Sequence, residues 1–435
     1  MKKKKIKINV LGAGQEVGRN CFIATYPTKE RILLDCGLKA DNDCAQEERY
    51  PLGIKKIRKI DLSFISHPHL DHLGALPRAC KYGLNSPIII PNEITKDVSE
   101  VILLDSLKLE KQFYGYVDYS IGWINYALRQ MAVKKSGKCG KVLWTLIESS
   151  HIPGSVSILL EHPETKSILY PGDIKMSRTL LMKERNFLPR ADIMFVDSTY
   201  GNAIHPDRKE TEKEFEKIIT EVVKKCGRVV VPCFSVARSQ EILILLDKIR
   251  RKLKIPVYLD GMGRGVTKIY LKYAEALDNK KLLQAVKGIN FVKTKEDRIG
   301  ALSRSGIIVP SGGMGNSPLV HFYIESIAPD ENSAIILTGF QAEGTGGHEL
   351  TVKGEIAVGK GTENEHKIKP KCGIHHLNFS SHADSLETES LIKTVEPGLV
   401  VAIHGEKSGI NGVKKIAKKL KIDAIAPKTG ETILV

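Results

Sequence analysis

At 435 residues, 42% hydrophobic and 27% charged, the chain has room for two or three domains and carries no low-complexity tract that would mark it as disordered or fibrous. No apolar run approaches the ~18 residues that span a bilayer, and strand-like alternation, not a signal-peptide core, follows the Lys-rich start, so a cytoplasmic protein with no membrane partner is expected. Lys and Arg exceed Asp and Glu by 66 to 50, and a net charge of +16 favours a polyanionic partner such as nucleic acid.

Short apolar runs, strand-like in length and branching, recur along the chain, and each ends on a polar residue. RILLD ends on Asp35, LSFIS leads to His67 and VLWTLIESS leads to His151. SILYPG leads to Asp173, IMFV to Asp197 and LVVAI to His404. Buried strands that each release a His or Asp at the same end predict one sheet edge lined with ligands. Between these runs the texture changes. ETEKEFEKIITEVVKKC sets Phe215, Ile218, Ile219, Val222 and Val223 on one helical face. The runs RVVVPCF, PVYLD, IIVP and AIILTGF alternate with helical patterns around SQEILILLDKIRRKL and VTKIYLKYAEAL, which predicts an α/β domain with parallel strands. The first pattern resumes with His382 and His404, so the second domain is an insertion. The expected boundaries are 1–200 for the first part of the outer domain, 201–375 for the insertion and 376–435 for the remainder. Eight cysteines (21, 36, 44, 80, 139, 226, 233 and 372) include no CxxC pair and predict reduced thiols.

The densest chemistry is FISHPHLDHLGALP. His67 and His69 stand two apart in an extended segment, so both imidazoles point the same way. Asp71 and His72 come where a helix is predicted to begin, over GALPRAC, and face a second ion. Three histidines and a carboxylate within six residues are the mark of a metal site. His151, Asp173 and His404, each at the end of an apolar run, are candidates to complete the ligand set. His162, His205, His321, His348, His366, His375 and His376 have no such context and read as surface or packing residues.

At these residues the chain resembles the metallo-β-lactamase superfamily: Asp35 in LLDCG, the HPHLDH cluster, His151 in SSHIPGS and Asp173 in PGD are similar to its four ordered motifs. VDSTYG with Asp197, SSHAD with His382 and AIHGE with His404 resemble the three motifs of the β-CASP family, in order, and PCFSVARSQE and TGFQAEGTGG resemble segments of its inserted domain. The resemblance covers essentially the whole chain and is strongest to archaeal and bacterial nucleases similar to the nuclease subunit of the cleavage and polyadenylation specificity factor. Pro153 stands where that group commonly has Leu, and Asp197 where it often has Glu. The fold implied is an αββα sandwich with an inserted α/β domain.

By this resemblance His67, His69 and His151 hold one ion, Asp71, His72 and His404 hold another, and Asp173 bridges them. Two zinc ions are implied, although manganese or iron also suits such ligands. Asp35 supports the metal loop without binding metal. His382 is the implied general acid, oriented by Asp197, and Asp71 is counted with these two as catalytic. Arg238 in VARSQE is the implied phosphate contact. The glycine-rich segments 310–318 and 341–349 would bring backbone N–H groups near phosphates.

The implied activity is a two-metal endoribonuclease that leaves 5′-phosphate and 3′-hydroxyl ends on single-stranded RNA, with a homodimer as a candidate assembly. Phe340 beside Gln341, and only 31 residues after His404, favour the endonuclease over a 5′-to-3′ exonuclease of the ribonuclease J kind. Asp197 and the Ile152–Pro153 pair lean the other way. A DNA-processing β-CASP nuclease would use the same metal site. Hydrolysis of a small thioester or β-lactam fits poorly, because a small substrate needs neither the inserted domain nor the basic charge.

Overall fold

A computed structural model describes residues 3–40, 44–185, 187–277, 279–359 and 365–435. The chain divides into two compact units, residues 1–204 with 381–435, and residues 205–380.

The first unit is an αββα sandwich. One seven-stranded sheet runs, in spatial order, Thr432–Leu434, Lys7–Gly12, Cys21–Thr25, Arg31–Leu34, Leu62–Phe64, Ile88–Ile90 and Met131–Val133. The other runs Asp423–Ile425, Leu399–Ile403, Ile193–Asp197, Ile168–Tyr170, Val156–Glu161, Val142–Glu148 and Ser136–Cys139. Alternation along each strand decides what packs where. Ile8, Val10, Phe22, Leu34 and Phe64 from the first sheet face Ile158, Tyr170, Ile193, Phe195 and Ile403 from the second in one dry core. Phe22 packs at a tilt against Tyr170 and edge-on against Phe195, with ring centroids 5.7 and 5.5 Å apart. The alternate residues Leu169, Met194, Val196, Val400 and Ala402 point to the opposite face. There they meet Leu391, Ile392 and Val395 of helix Ser385–Val395 and Ile410, Val413 and Ala417 of helix Lys407–Lys419. Helices Glu93–Tyr114 and Ile121–Gln130 cover the outer face of the first sheet.

Strand direction gathers the site at one edge. Arg31–Leu34 and Leu62–Phe64 are parallel, as are Ile168–Tyr170, Ile193–Asp197 and Leu399–Ile403. Val142–Glu148 reaches the same direction through two antiparallel pairings. The six apolar runs therefore deliver Asp35, His67, His151, Asp173, Asp197 and His404 to the same ends of their sheets. The helix after His69 differs from the sequence expectation. Asp71 and His72 lie inside a separate short helix, Leu70–Leu73, and GALPRAC contributes a second one, Leu76–Lys81.

The second unit is a six-stranded parallel sheet ordered Ile289–Phe291, Val257–Asp260, Gly306–Pro310, Arg228–Val230, Ala334–Leu337 and Gly373–His376. Both faces are buried: Val229, Ile307, Val309 and Ile336 on one, Val230, Ile308, Ile335 and Leu337 on the other. Such strands read as continuous apolar runs, as a parallel sheet covered on both faces requires. The expected insertion boundary at 375 falls inside the last strand, and the unit runs on to residue 380. GIHH carries two histidines and gives little strand signal. It is a strand because it pairs in parallel with Ala334–Leu337. Among the described residues no helix is long and apolar enough to cross a membrane, and all eight cysteines are free thiols.

Candidate active site

Three of these strand ends turn sharply. Asp35, Ser150 and His404 have φ of 56°, 56° and 49°, a left-handed backbone that non-glycine residues adopt only when their surroundings hold them there. His404 is held by its N–H, which donates to Ala13 O at 2.9 Å. His382 comes two residues before Asp384, which caps helix Ser385–Val395 in a capping box with Glu387.

Among the described residues three groupings are close enough to share an ion: His67, His69, His151 and Asp173; Asp71, His72 and His404, with Asp173 beside them; and Asp173, Asp197, His382 and His404. In the first, His67 Nε2 lies 3.0 Å from His69 Nδ1, His151 Nε2 lies 3.3 Å from that same nitrogen, and Asp173 Oδ2 stands 3.5 and 3.6 Å from His67 and His151. In the second, Asp71 Oδ2 lies 3.1 Å from His404 Nε2 and 3.7 Å from His72 Nε2, and Asp173 Oδ1 lies 3.3 Å from His72 Nε2. The side chains of His67, His72, His151, Asp173 and His404 are at most 3% exposed.

These residues fit divalent metal. A tetrahedral ion with bonds of about 2.0–2.1 Å separates its ligands by roughly 3.3–3.4 Å, close to the separations in both clusters. Three imidazole nitrogens that face one another in the first cluster cannot satisfy one another with protons alone, whereas a cation satisfies all three. Asp173 Oδ1 is a buried carboxylate oxygen that makes no hydrogen bond, only ion-pair approaches to His72 Nε2 and His404 Nδ1 at 3.3 and 3.5 Å, an arrangement that a bound cation would complete.

The electrostatics divide the histidines. Burial, reinforced by neighbouring imidazoles, lowers the pKa of His67, of His151 and of His69, the last to about 3. A lowered pKa favours the neutral imidazole that a metal ligand presents, whereas at His72 the Asp173, Asp71 and Asp35 carboxylates outweigh burial and raise the pKa. At His404 burial acts the same way, but the Asp173, Asp197 and Asp71 carboxylates outweigh it and push the pKa up to about 10. At His382 Asp197 and Asp173 likewise overcome burial and raise the pKa. Asp71, Asp173 and Asp197 are held below the usual carboxylate range, because the imidazoles outweigh the cost of burying their charge.

Asp35 does not face either cluster. Its Oδ2 accepts from His72 Nδ1 at 2.6 Å and from the Tyr170 hydroxyl at 2.6 Å, and Oδ1 accepts from the Ser66 N–H at 2.7 Å. That leaves His72 Nε2 turned toward Asp71 and Asp173. Arg238 lies in the second unit at the head of helix Arg238–Leu253. It is buried there and ion-paired with Glu241, which also takes Arg208.

Three contributors escaped the sequence analysis. Tyr170 is visible in hindsight as a phenol at the end of an apolar strand. The Thr199 hydroxyl, which donates to Asp197 Oδ1 at 2.6 Å and lies 3.2 Å from His404 Nδ1, had only its place in VDSTYG to mark it. Asn20, with Nδ2 3.0 Å from His72 Nε2, sits 52 residues from its partner in a loop without metal chemistry of its own.

The chain is similar to known proteins along almost its whole length. Residues 239–350 match the Beta-Casp domain family, residues 367–427 the Zn-dependent metallo-hydrolase RNA specificity domain, and residues 6–220 the family of the Anti-Pycsar protein Apyc1. The chain is 36% identical, over 98% of its length and 99% of the relative's, to a protein named probable RNase MJ4 from Methanocaldococcus jannaschii. It is 33% identical to RNase aCSPSF2 of Saccharolobus solfataricus, covering 85% of that protein and 98% of this chain. It is 30% identical to an RNase J-like protein of M. jannaschii, covering 98% of that protein and 97% of this chain. A crystal structure of a protein of unknown function from Enterococcus faecalis V583 shares the fold, with a TM-score of 0.57 at 13% identity over 99% of this chain and 100% of that one.

Proposed function

Since the chain belongs to the β-CASP ribonucleases of the metallo-β-lactamase superfamily, which are metal-dependent enzymes, we propose that it is a two-metal endoribonuclease that hydrolyses single-stranded RNA. The observation that carries this reading is Asp173, whose two oxygens serve the two ligand clusters separately.

His67, His69, His151 and Asp173 would hold one ion, and Asp71, His72, His404 and Asp173 the other. Zinc suits a His-rich set of this spacing, and manganese or iron also takes such ligands. Bound ions supply positive charge for the phosphoryl oxygens and a water acidic enough to attack near neutral pH. The chain's own residues supply the rest. Asp173 keeps the two clusters in register. Asp35 fixes the tautomer of His72 through Nδ1. Asp197 accepts the Nδ1–H of His382, which leaves Nε2 to carry the proton that the reaction needs. Water gives up a proton to solvent and its oxygen attacks phosphorus, the bond from phosphorus to O3′ breaks, and His382 protonates the departing O3′. The products carry a 3′-hydroxyl and a 5′-phosphate. The surplus of Lys and Arg supports RNA as the substrate.

Digestion of a 5′-end-labelled, unpaired RNA by metal-loaded protein, with ion content measured on the same sample, tests this reading. Internal fragments, a 3′-hydroxyl on each labelled product and loss of cleavage on chelation are expected. A 2′,3′-cyclic phosphate, or cleavage that survives chelation, would defeat it. A second reading, a 5′-to-3′ exonuclease, is favoured by the RNase J-like relative; it predicts that the label leaves first, as a mononucleotide.

A further inference from the structure

The loop that joins the first two strands has an unusual backbone. Ala13, Gln15 and Arg19 have φ of 58°, 58° and 43°, all left-handed, and Gly18 has 89°. Non-glycine residues hold such angles only when something fastens them. Arg19 Nη1 donates to Glu48 O and Tyr50 O at 2.8 Å each and Gln15 Nε2 to Ala426 O at 2.6 Å, and a central fastening is Glu16. Its carboxylate accepts from Arg19 Nε at 2.8 Å and from Thr429 Oγ1 at 2.6 Å, and it pairs with Lys39 Nζ at 2.6 Å.

So fixed, the loop spends its polar groups on particular ligands. Ala13 O accepts the His404 N–H at 2.9 Å, and Glu16 O accepts the Gly405 N–H at 3.2 Å. The Asn20 N–H donates to Asp71 O at 2.8 Å. The Asn20 side chain is fully buried. Its Nδ2 donates to the same Asp71 O at 3.2 Å and lies 3.0 Å from His72 Nε2, while Oδ1 has no hydrogen-bond partner. Gly37 closes the junction. Its N–H donates to Asn20 O at 2.8 Å, and a Cβ there would fall 1.7 Å from Asp71 O.

Where the loop meets proposed metal ligands, its contacts fall on Asp71, His72 and the His404–Gly405 peptide. Among the described residues the loop makes no hydrogen bond to His67, His69 or His151; His67 leans on Ser66 and His151 on Ser381 instead. Asp71 and His404 are 333 positions apart, so nothing local in the chain brings them into register. The loop touches both.

We propose that residues 13–20 are a template for one of the two ions only, the ion held by Asp71, His72 and His404. Asn20 is a positioning residue that sets Asp71, through two hydrogen bonds to its main-chain oxygen, and packs beside His72. Ala13 and Glu16 set His404 against them, and the ionic knot at Glu16 keeps the loop in its strained form. This inference rests on the two-ion reading above.

Titration of the apoprotein with cobalt(II), whose visible absorption reports each coordination event, tests it on wild type, Asn20→Ala and Glu16→Gln. Wild type fills two sites. Each variant fills the first with unchanged affinity, while the second weakens by about 10–100-fold, the usual effect of removing support from a ligand. Glu16→Gln keeps the size of the side chain and touches no ligand side chain, so it decides the matter should Asn20→Ala not fold. Two sites of wild-type affinity in the variants, or equal weakening of both, would overturn the template while leaving two ions in place. A single site in the wild type would overturn the two-ion reading and the template together.

Discussion

Asp197 Oδ2 lies 2.7 Å from His382 Nδ1, while its Oδ1 lies 3.2 Å from His404 Nδ1. One carboxylate thus orients both a proposed metal ligand and a proposed proton donor. Neither imidazole can turn without losing it.

His382→Ala is expected to leave the ion content intact and to slow cleavage about 10²–10⁴-fold, the usual contribution of a general acid. Asp197→Asn should slow it through the same proton, since an amide cannot hold the imidazolium as a carboxylate does. Single-turnover cleavage read beside elemental analysis checks both. Loss of metal from His382→Ala, or a near-normal rate, would exclude the acid role.

Asp173→Asn removes a negative charge from between the clusters, so both ions should weaken and activity should vanish. Elemental analysis after extensive dialysis is the measurement. Wild-type metal content in this variant would show that Asp173 is not shared.

Tyr170→Phe deletes one hydrogen bond to the buried Asp35 carboxylate and nothing else of comparable size. A hydrogen bond to a charged group contributes about 1.5–3 kcal/mol, and a loss of that order should appear in denaturant unfolding. Metal affinity should also fall, because Asp35 steadies His72. Unchanged stability would mean that the phenol is not a significant support for Asp35.

A circular RNA and a linear RNA of one sequence separate the two modes of attack. The proposed endonuclease opens the circle and cuts the linear strand internally. A circle that survives while the linear strand shortens from its 5′-monophosphate would establish the exonuclease instead. Binding in either case should weaken steeply with salt, because Lys and Arg contacts to phosphate release counterions.

Much of the site was legible because apolar strands punctuated by His or Asp leave a strong one-dimensional trace, and parallel strands bring those residues to one edge. The inserted sheet was legible for a related reason, since strands buried on both faces are continuously apolar. What escaped was whatever depends on partners distant in the chain. Gly373–His376 is polar and becomes a strand only by pairing. Asn20 and Tyr170 act on residues 52 and 135 positions away, and neither lies in a metal motif. Arg238 pairs with Glu241 three residues along its own helix, a contact its place in VARSQE did not mark.

The pairing of strand Leu399–Ile403 with Ile193–Asp197 has a consequence for biosynthesis. A chain emerging from the ribosome has made every other proposed ligand by residue 173, yet it lacks the strand that delivers His404. The loop that presents His404 also borrows Thr429, through the Glu16 carboxylate. Long-range pairings of this kind form late, since the closure of a large loop must precede any reward. A chain not yet synthesised past Thr429 therefore cannot assemble both clusters, and the capacity to cut RNA arises only after that point.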